Sequence, residues 1–323
     1  MLTITTSARA MLLVMLCFAW SETFAQPYPD KPIRLIVGYT PGSASDTLAR
    51  MLGQKMSEAW AQQVVVDSRP GAGGTIASAA AARASPDGYT ILLIAANYAI
   101  CATLYPKLPF DPVKDFTAVG QVSASPLVLV VIPSLQVKTA SEFIALAKAK
   151  PGQLSYGSSG SGSTPHLAVE LLKTAAGLDI VHVPYKGIAP AFPDLMAGHI
   201  QMMFATVGPV SPLIKSGRLR ALAISTAARS IAAPDIPPLS ETIPGFEAAT
   251  WYGVLAPAGI SGTIVKKLNE ALLGIPQMPD VRQRMIAAGY EPVGSSPQEF
   301  AGLVKSEIVK WAKVVRTSGA RPD

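Results

Sequence analysis

Cysteine is nearly missing from this chain. Of its two cysteines, Cys17 falls in an N-terminal apolar run and only Cys101 lies beyond it. Once that run is removed no internal disulfide can form, and the fold must be held by its core. Charge is scarce too, at 15% of residues, and no Lys/Arg cluster is interleaved with aromatics. The net charge of +6 is a modest field that draws in small anions and is too dispersed for nucleic acid. With one usable cysteine and no H-E-x-x-H, no metal site is expected, and no cofactor. Gly71 to Thr75 lacks both the Gly-Lys-Ser/Thr of a phosphate-binding loop and the third glycine of a dinucleotide fingerprint, which sets nucleotide enzymes aside.

Long apolar runs are also lacking. Met11 to Trp20 is about half the length that spans a bilayer. With Arg9 before it and Thr23 and Ala25 after it, residues 1–25 have the layout of a secretory signal peptide cleaved after Ala25. Val14, Met15 and Leu16 lack the small residue that a lipid-attachment site at Cys17 needs. Cleavage removes Arg9 and Glu22, so the net charge is unchanged, and about 300 remaining residues suggest two domains. Tyr89 to Tyr105 is uncharged, but Asn97 interrupts it and Pro86-Asp87-Gly88 and Pro106 bound it, so a buried strand and a short helix are expected there. The expected product is an exported, soluble protein.

What is present is a layout used three times. A strand from Ile33 to Val37 runs through Thr40 to Ser45 into a helix with Leu48, Leu52 and Met56 at four-residue spacing. Val64 to Val66 leads through Gly71 to Gly74 into an alanine-rich helix. In "LSYGSSGSGSTPHLAVELLK" eight small or flexible residues, Gly157 to Thr164, separate a short strand from an amphipathic helix. Further strands, "TILLIAA", "LVLVVIP", "DIVHVPY", "IQMMFAT" and "LRALAIS", alternate with helices such as "TASEFIALAKAK". This alternation predicts α/β architecture with largely parallel sheets. Ala233 to Pro244 reads as a Pro-rich surface connection. Ser296-Pro297-Gln298-Glu299 reads as a capping box for a helix carrying Phe300, Leu303, Val304, Ile308 and Trp311 on one face.

Gly/Ser loops that feed helices expose unpaired N–H groups and a partial positive charge, and in α/β folds they converge at the carboxyl ends of parallel strands. Three of them predict a small-anion site. A rival reading is an exported α/β hydrolase using Ser159 or Ser161, although the loop never spells G-x-S-x-G. His166 reads as decorating the first helical turn, and His182 and His199 as ordinary sheet and loop histidines. Tyr185 and Lys186 could meet an anion, or Lys186 could be a solvated strand-end charge. Asp46 reads as a helix cap for its own loop.

Taken in order after a signal peptide, "YTPGSASDTLAR", "VVVDSRPGAGG", "ASPDGYTILL", "LYPKLPFDPVKDF", "LSYGSSGSGSTPHLAVELLK", "VHVPYKG", "LRALAIST" and "WYGVLAPAG" resemble the Bug/TctC-type periplasmic receptors of tripartite tricarboxylate transporters. The resemblance covers nearly the whole mature chain. It implies a non-enzymatic, monomeric, two-lobed Venus-flytrap receptor with a mixed, mostly parallel sheet in each lobe. Such a receptor closes on a small carboxylate in the periplasm and delivers it to membrane permease subunits. The expected boundaries are residues 26–125 for the first part of lobe one, 126–228 for lobe two, and 229–323 for a return to lobe one with C-terminal helices packing across the lobes. The implied ligand-binding set is Tyr39, Gly42, Ser43, Ser45 and Asp46 in the first loop, Ala72 and Gly73 in the second, and Asn97. It continues with Ser158, Ser159, Ser163, Thr164 and His166, then Tyr185 and Lys186, and Ala205 and Thr206 in "MMFATVGP". The chain departs from the family in two places. A second glycine is common where Ser43 or Ala44 stands, and an aspartate is common where Ala205 stands.

Overall fold

Apolar runs bounded by Gly, Pro and Ser become strands, and runs with apolar residues three or four apart become helices. The computed structural model describes residues 28–322; the expected leader lies outside the described residues. From Lys31 onward the order is β1 (Ile33–Val37), α1 (Ala44–Trp60), β2 (Val64–Ser68), α2 (Thr75–Ala82), β3 (Thr90–Ala95), α3 (Asn97–Leu104), β4 (Phe116–Ser125) and β5 (Leu127–Val131). Next come α4 (Ala140–Ala149), β6 (Ser155–Ser158), α5 (Thr164–Ala176), β7 (Val181–Pro184), α6 (Ala191–Ala197), β8 (Met202–Thr206), α7 (Val207–Lys215) and β9 (Arg220–Ile224). The chain ends with β10 (Thr250–Pro257), α8 (Gly262–Gly274), α9 (Pro279–Ala287), β11 (Glu291–Pro292) and α10 (Pro297–Ser318).

The strands form two sheets, one per lobe, in the orders β11-β4-β10-β3-β1-β2 and β7-β6-β8-β5-β9. In the first, β1 to β4 share a direction and β10 and β11 oppose it. In the second, β6 to β9 share a direction and β5 opposes it. Both sheets are thus mixed, with most strands running one way. Contrary to a simple strand–helix alternation, β10 and β5 are each inserted antiparallel between co-directional neighbours. The sequence reading did not identify β4 and β10 as strands. Gly120, Gln121 and the serines of β4 break its apolar pattern, and β10 is buried along its whole length, so it shows no alternation.

Only Pro126 separates β4 of the first sheet from β5 of the second. The return path leaves β9 at Ser225, whose Oγ accepts from Leu127 N–H at 2.9 Å. Ser225 N–H donates to Leu127 O at 2.8 Å, and Ser225 O accepts from Ala248 N–H at 3.0 Å. Two chain crossings are therefore hydrogen-bonded to each other, and Ser225 is fully buried there. Within β5, Leu127, Leu129 and Val131 join the main core, which draws residues from both sheets, while Val128 and Val130 face the second core. A strand buried on both faces must be apolar at every position.

The Ala233 to Pro244 passage differs from its expected role as a surface connection. Leu239 is fully buried in the main core, and Pro237 O accepts from Ile224 N–H at 2.8 Å. The segment lies along the free edge of β9, and its prolines need no partner for an N–H they do not have. The capping box at α10 is formed, with Ser296 Oγ accepting from Glu299 N–H at 3.2 Å and Ser296 N–H donating to Glu299 Oε2 at 2.8 Å. On α10, Phe300, Val304 and Trp311 are buried, and Leu303 and Ile308 are half-buried against the same core. This helix lies on α3 and β4 and also touches α5 of the other lobe.

Phe300 explains a glycine in mid-strand. A Cβ on Gly253 would lie 2.1 Å from Phe300 Cζ, and that ring, fully buried and edge-on to Trp251 at 5.6 Å, has nowhere to move. Gly253→Ala should therefore cost about 1–3 kcal/mol by overpacking, read as a lower urea midpoint with an unchanged slope.

Candidate ligand-binding site

The carboxyl ends of β1, β3, β6 and β8 and the amino ends of the antiparallel β5 and β10 open on one cavity of about 230 Å³. From the first lobe come Tyr39, Ser43, Ala44, Ser45, Ala95, Asn97, Thr250 and Tyr252; from the second come Ser159, Ser163, Thr164, Pro165, Ile188, Ala205 and Thr206. Leu127, at the crossing, completes the wall. None of these side chains is charged.

Four helices begin in this wall, and one of them is α3, whose first residue is Asn97. At α1, Ser43 is the N-cap and its Oγ accepts from Asp46 N–H at 3.3 Å. At α5, Ser163 is the N-cap, accepting from His166 N–H at 3.4 Å and donating to Gly160 O at 2.7 Å. At α7 the N-cap is Thr206, whose side chain forms no capping bond, so the orphan N–H groups of that first turn are left to other acceptors. Each terminus adds a partial positive charge. Together they make an electropositive chamber without charged side chains, whose polar groups are the Asn97 amide and the serine, threonine and tyrosine hydroxyls of its wall.

The second Gly-rich loop does not reach this wall, which corrects the expected convergence of three such loops. Ala72 and Gly73, both with positive φ, curl into a one-turn 3-10 segment before α2. There Gly73 O accepts from Asn97 Nδ2 at 2.9 Å, and Asn97 Oδ1 in turn accepts a short hydrogen bond from the Tyr39 hydroxyl. The loop thus sets the amide orientation of Asn97 from behind. Gly73, Tyr39 and Asn97 also border a second recess of about 10 Å³. Burial pushes the Tyr39 phenol well above its ordinary pKa and the Cys101 thiol, beside Gly73, up to about 12. Both groups are neutral at physiological pH.

Several expected site residues face elsewhere. The cap of α1 is Ser43 and not Asp46, whose carboxylate is buried and turned away from the cavity. It accepts from Gly42 N–H at 2.9 Å, from Arg50 Nε and Nη2 at 2.9 and 3.0 Å, and from Ser68 Oγ at 3.0 Å. Hydrogen bonding to Arg50 holds its pKa below the usual carboxylate value. Gly42, at φ +81° with open space around it, supplies the turn and lies outside the wall. Ser158 is fully buried, 2.7 Å from His182 Nε2, and His166 accepts from Gly162 N–H behind the loop. Tyr185 donates to Asp194 Oδ2 at 2.6 Å, which with burial lifts its phenol to about 12. Lys186 is exposed, and neither it nor Tyr185 lines the cavity.

Ala44, Ala95, Leu127, Pro165, Ile188, Thr250 and Tyr252 were missed from sequence. For Thr250 and Tyr252 a signal existed, since residues two apart on a strand share a face and "TWYG" places both on one side of β10. The Tyr252 phenol is raised by burial and packs edge-on to Tyr290 at 5.6 Å, which donates to Ala44 O at 2.9 Å.

Residues 48–320 match the family model described as the tripartite tricarboxylate transporter family receptor, TctC. The chain belongs to that family. TctC proteins are substrate-binding receptors and not enzymes, which removes the serine hydrolase reading of the Gly157 to Thr164 loop. Among curated relatives, BugT of Bordetella pertussis is 37% identical over 300 residues, covering 92% of each chain. A solved R. palustris protein carrying adipate superposes with a TM-score of 0.80 at 36% identity, covering 92% of this chain and 100% of its own. MatC from Rhodopseudomonas palustris, with bound malate, gives 0.76 at 30% identity, covering 89% of this chain and 100% of its own. This TctC chain shares their periplasmic-binding-protein architecture.

Because Asp46 braces the loop from outside the cavity, its loss should be felt first as stability. Asp46→Asn is expected to cost about 1–3 kcal/mol near neutral pH. A carboxylate whose folded pKa is depressed stabilises fully above its unfolded value and loses that contribution as pH falls through the folded one. The gap between variant and wild type should therefore close in acid, measured by urea unfolding across pH.

Proposed function

We propose that this chain is a periplasmic receptor that closes on a small carboxylate, preferring a dicarboxylate or an aromatic carboxylate without an ammonium group. It then delivers the ligand to the permease subunits of a tripartite tricarboxylate transporter. The observation that carries this reading is the meeting of four helix N-termini, from both lobes, on one cavity with no charged side chain. Such a chamber favours an anion through N–H groups, hydroxyls and dipoles. It offers no carboxylate for an ammonium group, and Ala205 contributes only a small apolar surface. Helix ends on both lobes supply donors for two separate carboxylates, or for one carboxylate with an aromatic body against Leu127, Ile188 and Tyr252. Adipate and malate in the related structures agree with this class. Periplasmic location and transporter delivery rest on the family and on the expected leader, and no helix of the described residues is long and apolar enough to cross a membrane. The receptor acts as a monomer with lobe one discontinuous, since the chain crosses at Pro126 and returns after Ser225.

Thermal shift against adipate, malate, succinate, phthalate and aspartate tests the class, because a ligand at 100 times its Kd adds about 2.7 kcal/mol of stability. Succinate should be preferred to aspartate, and Ala205→Asp should narrow or reverse that preference, because a carboxylate there repels the ligand's second carboxylate and attracts an ammonium. Tighter binding of aspartate by the wild type would sink the reading. Calorimetry tests the donors: Ser159→Ala and Thr164→Ala should each weaken binding by about 1.5–3 kcal/mol while the ligand-free melting temperature stays put. Normal binding by both variants would remove the loop from the site.

A further inference from the structure

The Gly/Ser loop that walls the second lobe is held by a side chain that is not in the wall. Gly162 N–H lies 2.9 Å from His166 Nδ1. A backbone amide only donates, so Nδ1 must carry the lone pair, and the proton of the neutral ring sits on Nε2. Gly162 is also where this loop meets the first lobe, since a Cβ on it would lie 2.2 Å from Leu104 Cδ2 of α3. Below the loop the His166 ring stacks on His182, with centroids 4.0 Å apart and planes 7° from parallel. Tyr156 stacks on His182 at 4.8 Å.

The two imidazoles do not respond alike to a proton. His182 Nε2 meets Ser158 Oγ at 2.7 Å, and that hydroxyl also lies 3.2 Å from Gly160 N and 3.1 Å from Gly160 O. It can accept from a charged His182 and give its own proton to Gly160 O, so the loop stays satisfied. A proton on His166 Nδ1 instead sets two N–H donors against each other and frees Gly162.

We propose that neutral His166 is a positioning residue for ligand capture. Its Nδ1 holds Gly162, and through it Ser159, Ser163 and Thr164, in binding geometry, so that protonation of His166 weakens binding in acid. This rests on the carboxylate-receptor reading. The other titratable groups near the pair come from each packed element. On α5 itself Glu170 and Lys173 are paired at 2.7 Å, and from β6 Tyr156 donates to Glu170. Strand β7 supplies His182 and β8 supplies none, while α3, which reaches the loop through Leu104, carries Tyr98 and Cys101. Helix α10 supplies Glu307 and Lys310, paired at 2.6 Å. His182, stacked on the ring, is a neighbour whose charge would oppose a proton on His166. Affinity should hold at neutral and alkaline pH and fall below the ordinary histidine range, by at most about tenfold per pH unit for one proton.

The test is calorimetric titration with adipate and with malate from about pH 8 to about pH 5, on wild type, His166→Asn and His166→Leu. Asparagine offers an oxygen acceptor that does not titrate, and leucine offers none. Leucine should lose about tenfold or more in affinity at the alkaline end, asparagine should recover part of that loss, and the wild type alone should show an acid step beyond the ligand's own protonation. NMR on ligand-free protein reads the same contact directly, with slow Gly162 amide exchange in wild type and His166→Asn, fast exchange in His166→Leu, and an Nε2–H imidazole at position 166. A wild-type pH profile parallel to that of His166→Asn, or an Nδ1–H tautomer, overturns the proposal. If His166→Leu fails to fold, the tautomer and the asparagine profile decide. Failure of adipate and malate to bind, with the Gly162 amide behaving as stated, would support the positioning role and count against the choice of ligand.

Discussion

Leu127 and Ser225 hold two crossing segments side by side: Ser225 N–H donates to Leu127 O, and Leu127 N–H donates in return to the Ser225 hydroxyl. Pro126 precedes this pair and brings no N–H that would need a partner of its own. The crossing anchors β5 as the antiparallel member of the second sheet, and the return path after it delivers β10 into the first sheet. Both insertions follow from having to come back between lobes. Ser125 Oγ, donating to Gly289 O at 3.0 Å, ties the same crossing to the turn that carries Tyr290 over Ala44. The geometry of the cavity wall thus depends on a handful of bonds at the chain crossing.

The antiparallel insertions also decide what the cavity is made of. Co-directional strands present their carboxyl ends, with loops leading to helix N-termini, whereas β5 and β10 present their amino ends at the same edge. Helix ends therefore alternate with strand side chains such as Leu127, Thr250 and Tyr252 around one space. A wall of N–H groups and hydroxyls leaves no buried ion unpaired in the empty cavity, which an arginine there would do. Neutral donors also hold a carboxylate less strongly than a bidentate guanidinium, which is compatible with the release that the proposed function requires.

Much of the framework was legible in the primary structure. The three strand–loop–helix units, the capping box at Ser296 and the apolar face of α10 depend on residues within about one helical turn of each other, and short-range chemistry settles them. The order of motifs was specific enough to name the receptor family, and the family model matches residues 48–320. Ser43, Ser159, Ser163, Thr164 and Thr206 were named through the family resemblance, and all stand in the wall of the cavity.

Tertiary structure alone decided which loop reached the cavity wall. The Gly71 to Gly74 loop looks like its two counterparts, yet it ends behind Asn97, because β2 is an edge strand and its carboxyl end lies away from the crossing. Asp46 reads locally as a cap, but Arg50 and Ser68 draw its carboxylate to the opposite side of the loop. Leu127 and Tyr252 meet in the cavity wall although they are far apart in the chain, brought there by the register of β10 on β4 and of β5 on β8. Capping and periodicity are settled by neighbours along the chain. The contents of a cleft are settled by strand register and by where the chain crosses between sheets, which arise from packing between distant segments and leave no local mark in either one.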